Sequence, residues 1–473
     1  MIFYLFVLQL LPGNCFQPFQ DGAELKTVVG DWVAGTPAEK LAIEGVYGPI
    51  GDWNVSQVTT MNALFMNLDF NENIDAWDVS NVEDMAFMFW GTPFNQPLNS
   101  WDTSAVTSML AMFYQATKFN QPIDSWSTSR VTDMRAMFVE AAAFNQPLES
   151  WNTSSVTLMG SMFDGASAFN QPLDSFDTSS LTTMARMFSR AAAFNQPLRS
   201  WDTSRVMDME GMFLDAAAFN QPLDSWDMSR VTSTANMFNG ATAFNQRLDS
   251  WDTSSVTTML RMFRNAVSFN KPLSAWNTSQ VTSMAAMFQG ATAFNKPLNT
   301  WDTSQVRSML RMFDGATAFN KPLGRWDTSS LQFASYLFFG ATAFSRCLAS
   351  WDTSSLIANV FMFAGSGCPA DAPVLQNGLL DCGCDKLWCE DLTAVDYALL
   401  KKKGKKAMKN CLLTSLIQDT ESASGLPWKR ASAKVPWLTV FVGLVVAFAA
   451  SAAAAIAWRS HRRQFPPTSY EEL

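Results

Sequence analysis

The feature that constrains this chain most is one stretch of text that keeps returning. In one copy it reads Phe244-Asn245-Gln246-Arg247-Leu248-Asp249-Ser250-Trp251-Asp252-Thr253-Ser254-Ser255-Val256-Thr257-Thr258-Met259-Leu260-Arg261-Met262-Phe263. Its tryptophan recurs at Trp53, Trp77, Trp101, Trp126, Trp151, Trp201, Trp226, Trp251, Trp276, Trp301, Trp326 and Trp351, and Phe176 fills the one vacant slot. The step is 24 residues twice and 25 thereafter. Self-similarity at such a period means stacked supersecondary units, each unable to bury its apolar face alone, and therefore a solenoid.

Two phases divide each copy. After Trp251, the short oxygen-bearing side chains of Asp252-Thr253-Ser254 favour turns and helix N-caps, because they satisfy nearby backbone N–H groups. Val256, Met259, Met262, Phe263 and Ala266 then follow the spacing of one face of a short helix. Pro272 and its equivalents force the chain to turn before the next Leu-x-x-Trp segment, which reads as a short strand or extended rung. The expectation is an α/β repeat solenoid of thirteen coils over residues 51–365. At a strand spacing of about 4.8 Å it extends roughly 60 Å.

The pattern Phe-Asn-Gln-x-Leu-x-Ser-Trp-Asp-Thr-Ser-x-Val-Thr-x-Met-x-x-Met-Phe-x-x-Ala resembles the repeat of the BspA-like surface proteins, relatives of the leucine-rich repeats. The resemblance covers about two thirds of the chain. It implies an extracellular solenoid attached to a membrane or wall and used for adhesion or recognition, with no catalytic residues and no cofactor.

Three recurring columns invite chemical readings, and each has a structural one beside it. The Asp column, including Asp252 and Asp302, suits turn or helix capping; stacked carboxylates would also suit calcium, but their neighbours are Trp and Thr-Ser rather than further acids. The Asn column, including Asn245, Asn270 and Asn295, suits an internal ladder between coils, with a glycan-binding groove as its functional alternative. The Met-Phe column, from Met88-Phe89 to Met362-Phe363, shares its face with Val and reads as packed core rather than a soft-metal site.

Specificity belongs where copies differ: the residue after Thr-Ser and the pairs flanking Met-Phe. Arg261, Arg264 and Arg311 stand there as a candidate partner-binding surface. The sequons at Asn54, Asn152 and Asn277 are possible glycosylation sites, blocked if their side chains point inward.

Composition excludes some partners. A net charge of −9 with 16% charged residues offers no clustered Lys and Arg for phosphates, so nucleic acid is set aside. The single histidine, His461, lies beyond the last apolar segment, leaving the repeats no material for His-dependent triads or His-ligated metals.

The ends read differently from the array. Residues 1–15 carry an apolar run of signal-peptide length without a basic start, the alternative being a buried strand. Residues 16–50 show helical patterning at Leu25, Val28, Val29 and Trp32, and again near Leu41 and Ile43, which suits an N-terminal cap. Cys347, Cys368, Cys382, Cys384, Cys389 and Cys411 crowd the C-terminal side; they read as disulfides of a cap over 366–416, with a zinc site as the alternative. A linker over 417–436 precedes an uncharged apolar run at 437–458 between Trp437 and Trp458, the expected transmembrane helix, and residues 459–473 form a tail. Flanking charges nearly balance, so the signal-like start and the cysteines set the expected orientation, repeats outside and tail inside. The expected function is surface adhesion or recognition of a protein or polysaccharide. A self-associating envelope component and an intracellular scaffold are the alternatives.

Overall fold

The computed structural model describes residues 16–346, 348 and 350–368. The chain divides into two compact units, Met1–Gly404 and Lys405–Leu473, and every described residue belongs to the first. The expected signal peptide, the span 437–458 and five of the six cysteines (Cys347, Cys382, Cys384, Cys389 and Cys411) lie outside the described residues. Among the described residues no helix is long and apolar enough to cross a membrane.

Two helices precede the repeats. Helix α1, Gly22–Ala34, starts at Asp21, whose carboxylate accepts from Ala23 N and Glu24 N at 2.9 Å each. Helix α2, Pro37–Tyr47, starts on a capping box: Thr36 Oγ1 accepts from Glu39 N while the Glu39 carboxylate reaches back to Thr36 N. Gly48, at φ 83°, ends it by donating its N–H to Glu44 O, a conformation that a side chain would strain. Leu25, Val29 and Trp32 of α1 are buried, but α2 turns Leu41 outward, 68% exposed, against the patterning read there. Phe19, Trp32 and Tyr47 pack around Trp53, the first repeat tryptophan, at ring-centroid distances of 5.1, 5.8 and 6.2 Å. The helices thus cover the apolar side of the first coil.

The repeats contain neither the short helix nor the extended Leu-x-x-Trp rung that local spacing suggested. From Met259 onward, backbone N–H groups alternate in destination. Met259, Arg261, Phe263 and Asn265 donate to Ser283, Ala285, Met287 and Gln289 of the next coil at 2.6–3.1 Å. Met262, Arg264 and Ala266 donate to Met259, Arg261 and Phe263 within their own coil at 3.1–3.2 Å. A helix would send all of them to the fourth residue before, and a strand all of them to neighbours. The alternation requires left-handed residues four apart, here Arg261 at φ 54° and Asn265 at φ 55°, and the pair repeats in every coil. Each costs a non-glycine residue about 1–2 kcal/mol, repaid by hydrogen bonds that stacking completes.

Parallel pairing between coils is confined to one residue per coil. It falls at Thr258, beyond the Asp-Thr-Ser turn, and not at the Leu-x-x-Trp segment: Ser233 pairs with Thr258, and Thr258 with Ser283. Beside it the direction of donation reverses, since Thr257 N donates back to Thr232 O at 2.9 Å.

The interior is a set of aromatic and sulfur columns. Phe238, Phe263 and Phe288 stack at 5.6–5.7 Å, and Phe263 packs on Phe269 of its own coil at 4.1 Å. Met259, Met262, Val256, Leu248 and Ala266 are fully buried around them. Trp251 lies nearly parallel to Trp276 at 6.2 Å, and its Nε1 donates to Leu223 O of the preceding coil at 2.9 Å. The indole therefore adds both apolar area and one inter-coil hydrogen bond.

One junction lacks these bonds. Phe176 has no side-chain N–H to give Leu148 O, whereas the indoles of Trp151 and Trp201 serve Ile123 O and Leu173 O. The parallel pairing also runs from Thr60 to Leu158 and resumes only at Thr183. Restoring the donor with Phe176→Trp is expected to stabilise this junction by about 1 kcal/mol, the net worth of a typical hydrogen bond. Denaturant unfolding, with amide exchange at Met159 and Thr182 as the local readout, checks it. Faster exchange in the variant would mean that the slot has closed around phenylalanine.

Candidate recognition face

Positions that never vary are spent on the fold. Asn245 Oδ1 accepts from Asn270 N at 3.0 Å, Asn270 Oδ1 from Asn295 N at 3.0 Å, and Asn295 Oδ1 from Asn320 N at 3.1 Å. These amides are half-buried and bridge coil to coil. The Asp column does something else. Asp252 and Asp302 are exposed, and each Oδ1 accepts from the serine N two residues on, at 3.0 Å, inside its own coil. They close turns; they are not rungs of a ladder, and no helix follows for them to cap. Asn54, Asn152 and Asn277 occupy the same place, exposed rather than inward, with Oδ1 accepting from Ser56 N, Ser154 N and Ser279 N.

Two further ladders went unread in the sequence. Gln246 Nε2 donates to both Asn220 O and Asn220 Oδ1, at 2.9 and 3.0 Å, and Gln121 through Gln221 repeat the contact. The glutamine that follows Asn from Gln96 to Gln246 signals it, and Lys271, Lys296 and Lys321 replace it in later coils. Thr253 is buried, and its hydroxyl donates forward to Asn277 O at 2.8 Å, as Thr278 does to Asp302 O at 2.7 Å.

Positions that vary gather around the two left-handed residues. They lie between the buried Met259, Met262 and Phe263, so they leave the coil on its outer side. Arg261 is exposed on this face. Arg264 is half-buried, and its Nε has no hydrogen-bond partner. Arg311 shares Arg261's register two coils on. It is committed within the chain: its guanidinium meets Asp314 at 2.9 Å and lies over the Tyr336 ring at 4.3 Å. The three arginines share a face but make no contact with one another.

The densest electrostatics lie elsewhere on that face. Asp164, buried at 4% exposure, meets Arg186 at 3.2 Å and Arg190 at 2.9 Å. Arg190 also meets Glu140 at 3.2 Å, and Glu140 accepts from Gln115 Nε2 at 2.8 Å. The Gln115 amide, then the Arg190 guanidinium, hold the Glu140 carboxyl below its ordinary value. This chain of side chains crosses the junction weakened at Phe176. The sequence did not reveal it, because its members are brought together only by stacking.

Asn245→Leu removes the acceptor for Asn270 N and leaves a donor without a partner between coils. Expected is a loss of about 1–3 kcal/mol, the penalty for an unsatisfied buried group, with accelerated exchange of the Asn270 amide; unchanged exchange would show that water replaces the ladder. The Asp column predicts an acid limb. The hydroxyl and N–H of Ser254 hold the Asp252 carboxyl below its usual value, and Ser104, Ser179 and Ser204 do the same for Asp102, Asp177 and Asp202. A depressed carboxylate contributes stability that is present above its unfolded value near 4 and lost as pH falls through the folded one. Asp252→Asn, the residue already present at 152 and 277, should therefore flatten the fall in stability below about pH 4, measured as melting temperature against pH.

A family model described as "Mycoplasma protein of unknown function, DUF285" matches the chain four times in overlapping succession, over residues 40–149, 121–226, 208–309 and 273–371. No curated protein matches the chain. The matched segments run from residue 40 within α2 to residue 371, and so take in every tryptophan coil. The chain therefore belongs to this tandem-repeat family, whose description assigns no function.

Proposed function

We propose that the chain is a single-pass cell-surface recognition protein of the BspA-like, leucine-rich-repeat-related solenoid type. Its repeats face outward and bind a protein or polysaccharide through the variable face. The observation that carries this reading is a division of labour within each coil. Asn, Gln, Thr, Trp, Met and Phe are consumed by coil-to-coil contacts, while the first left-handed position holds Ala, Phe, Ser, Arg, Asn, Tyr or Gly over an unchanged backbone and the second holds Gly or a polar residue. A scaffold that fixes its backbone through invariant columns leaves the intervening columns free to be fitted to a partner.

The C-terminal cap and its disulfides belong to the same proposal. Cys368 is buried, with Sγ 3.5 Å from Phe344 O. A disulfide at this sulfur, as this reading has it, goes with an oxidising compartment. Residues 437–458 supply the anchor in this reading, on their length and lack of charge.

A self-associating envelope component is the second reading. It is favoured by the last coil, where Ile357, Val360 and Phe361 stand 71%, 58% and 62% exposed. Such a patch would suit the end of another copy as well as a partner.

Membrane-impermeant amine labelling of intact cells separates these readings from an intracellular scaffold. Lys118, exposed on the repeats, is expected to react without permeabilisation. The purified chain is then expected to bind a foreign cell or matrix preparation saturably. Labelling that needs permeabilisation would overturn the surface assignment, and self-association as the sole binding activity would favour the envelope reading.

A further inference from the structure

Aromatic side chains gather on the variable face near its N-terminal end, as Tyr336, Phe339 and Phe361 do near the other. Phe87, Trp90 and Tyr114 stand half-exposed where the coils that follow place residues such as Ala136, Val139 and Asp164. Trp90 packs on Tyr114 at 4.4 Å with a 39° tilt, and Phe87 lies 5.5 Å from Trp90. Gly91 and Gln115, the chain neighbours of Trp90 and Tyr114, line a shallow hollow of about 330 Å³ whose wall comes from three successive coils. Backbone bonds join the two features: Asn67 N donates to Trp90 O at 2.7 Å and Gly91 N to Tyr114 O at 2.8 Å, and Asn67, Gly91 and Gln115 all line the hollow.

Its other polar contributors are Asp69, Lys118 and two threonines. Asn67, Asp69 and Lys118 are exposed, and their side chains have no hydrogen-bond or ion-pair partner among the described residues. The Asn67 amide fills the space left open by Gly91, where a Cβ would meet Asn67 Oδ1.

We infer that this aromatic shelf and the polar hollow beside it form a subsite for a neutral saccharide. The inference rests on the recognition reading and names the ligand class of one part of that face. A pyranose ring is amphipathic: its C–H face suits aromatic rings, and its hydroxyls require donors and acceptors close together. The hollow supplies one carboxylate, one ammonium, amides and hydroxyls, so its charges balance and favour neither an anion nor a cation. Its volume lies at the lower end of small-ligand sites. An extended peptide, which would dock by adding backbone hydrogen bonds, finds few to add. The N–H groups of Asn67, Gly91 and Gln115 are already spent on the next coil.

The test is titration of the full-length chain in detergent with cellohexaose and mannohexaose, followed by saturation-transfer NMR. Saturable binding of at least one is expected. Trp90→Ala and Tyr114→Ala should each weaken it at least about tenfold, in keeping with the loss of a stacked ring, while Glu149→Ala, exposed in the Leu-x-x-Trp segment of a later coil, leaves it unchanged. Asn67→Gly guards against misfolding, since φ 58° favours glycine there and only the amide is lost; it should weaken binding several-fold with an unchanged melting temperature. Failure of both sugars to bind, or wild-type affinity in both aromatic variants, overturns the saccharide site. A chain that adheres to cells but takes neither sugar overturns this inference and leaves the recognition reading standing. A chain that binds sugar through Trp90 but adheres to no surface does the reverse.

Discussion

Everything in the described repeats depends on how the backbone N–H groups between Met259 and Ala266, and their counterparts in other coils, divide between two destinations. Alternate groups close turns within a coil, and the others reach the next coil. A single coil could satisfy only half of them. The rest become free donors in water or, if buried, a penalty of the order of 1–3 kcal/mol each. Stacking is thus required by the hydrogen-bond accounting as well as by apolar burial, and an end coil needs cover. At the N-terminal side α1 and α2 provide it through Phe19, Trp32 and Tyr47 on Trp53.

The same constraint explains why side-chain chemistry is so uniform in some columns and so free in others. Amides and hydroxyls that reach across coils, such as Asn245, Gln246 and Thr253, must meet a partner at a fixed register, so one residue type repeats. Residues at the left-handed positions meet no such demand. Arg261, Ala286, Arg311 and Tyr336 follow one another with nearly equal φ, between 52° and 58°. Because stacking fixes that backbone, the strain is carried by the array and the side chain can vary. Sequence variety along the face, from Phe87 and Trp90 through Asp164 and Arg190 to Arg311 and Tyr336, is then free to serve recognition.

Where the pattern lapses, another interaction takes up part of the load. At Phe176 one indole hydrogen bond is missing, and the parallel pairing is interrupted between Leu158 and Thr183. Across that same junction lies the buried Asp164 with Arg186 and Arg190. Two half-exposed guanidinium groups matched by the buried Asp164 and by Glu140 leave no charge unpaired, which makes this more than a surface ion pair of little worth.

The repeat period, the buried columns and the amide ladder were legible in the sequence because each is a relation between equivalent positions, and tandem copies display such relations directly. Phe263 above Phe288 and Asn245 beneath Asn270 follow from spacing alone. The conformation of each coil was not legible. Val256, Met259, Met262, Phe263 and Ala266 have helical spacing, yet successive three-residue turns bury the same positions, and nothing local distinguishes the two. The partner for every second N–H lies in the following coil, so only stacking could decide between helix and turns. The place of the parallel pairing at Thr258, the joining of Asp164 to Arg186 and Arg190, and the meeting of Trp90 with Tyr114 beside a hollow were decided in the same way, by which residues adjacent coils brought into reach.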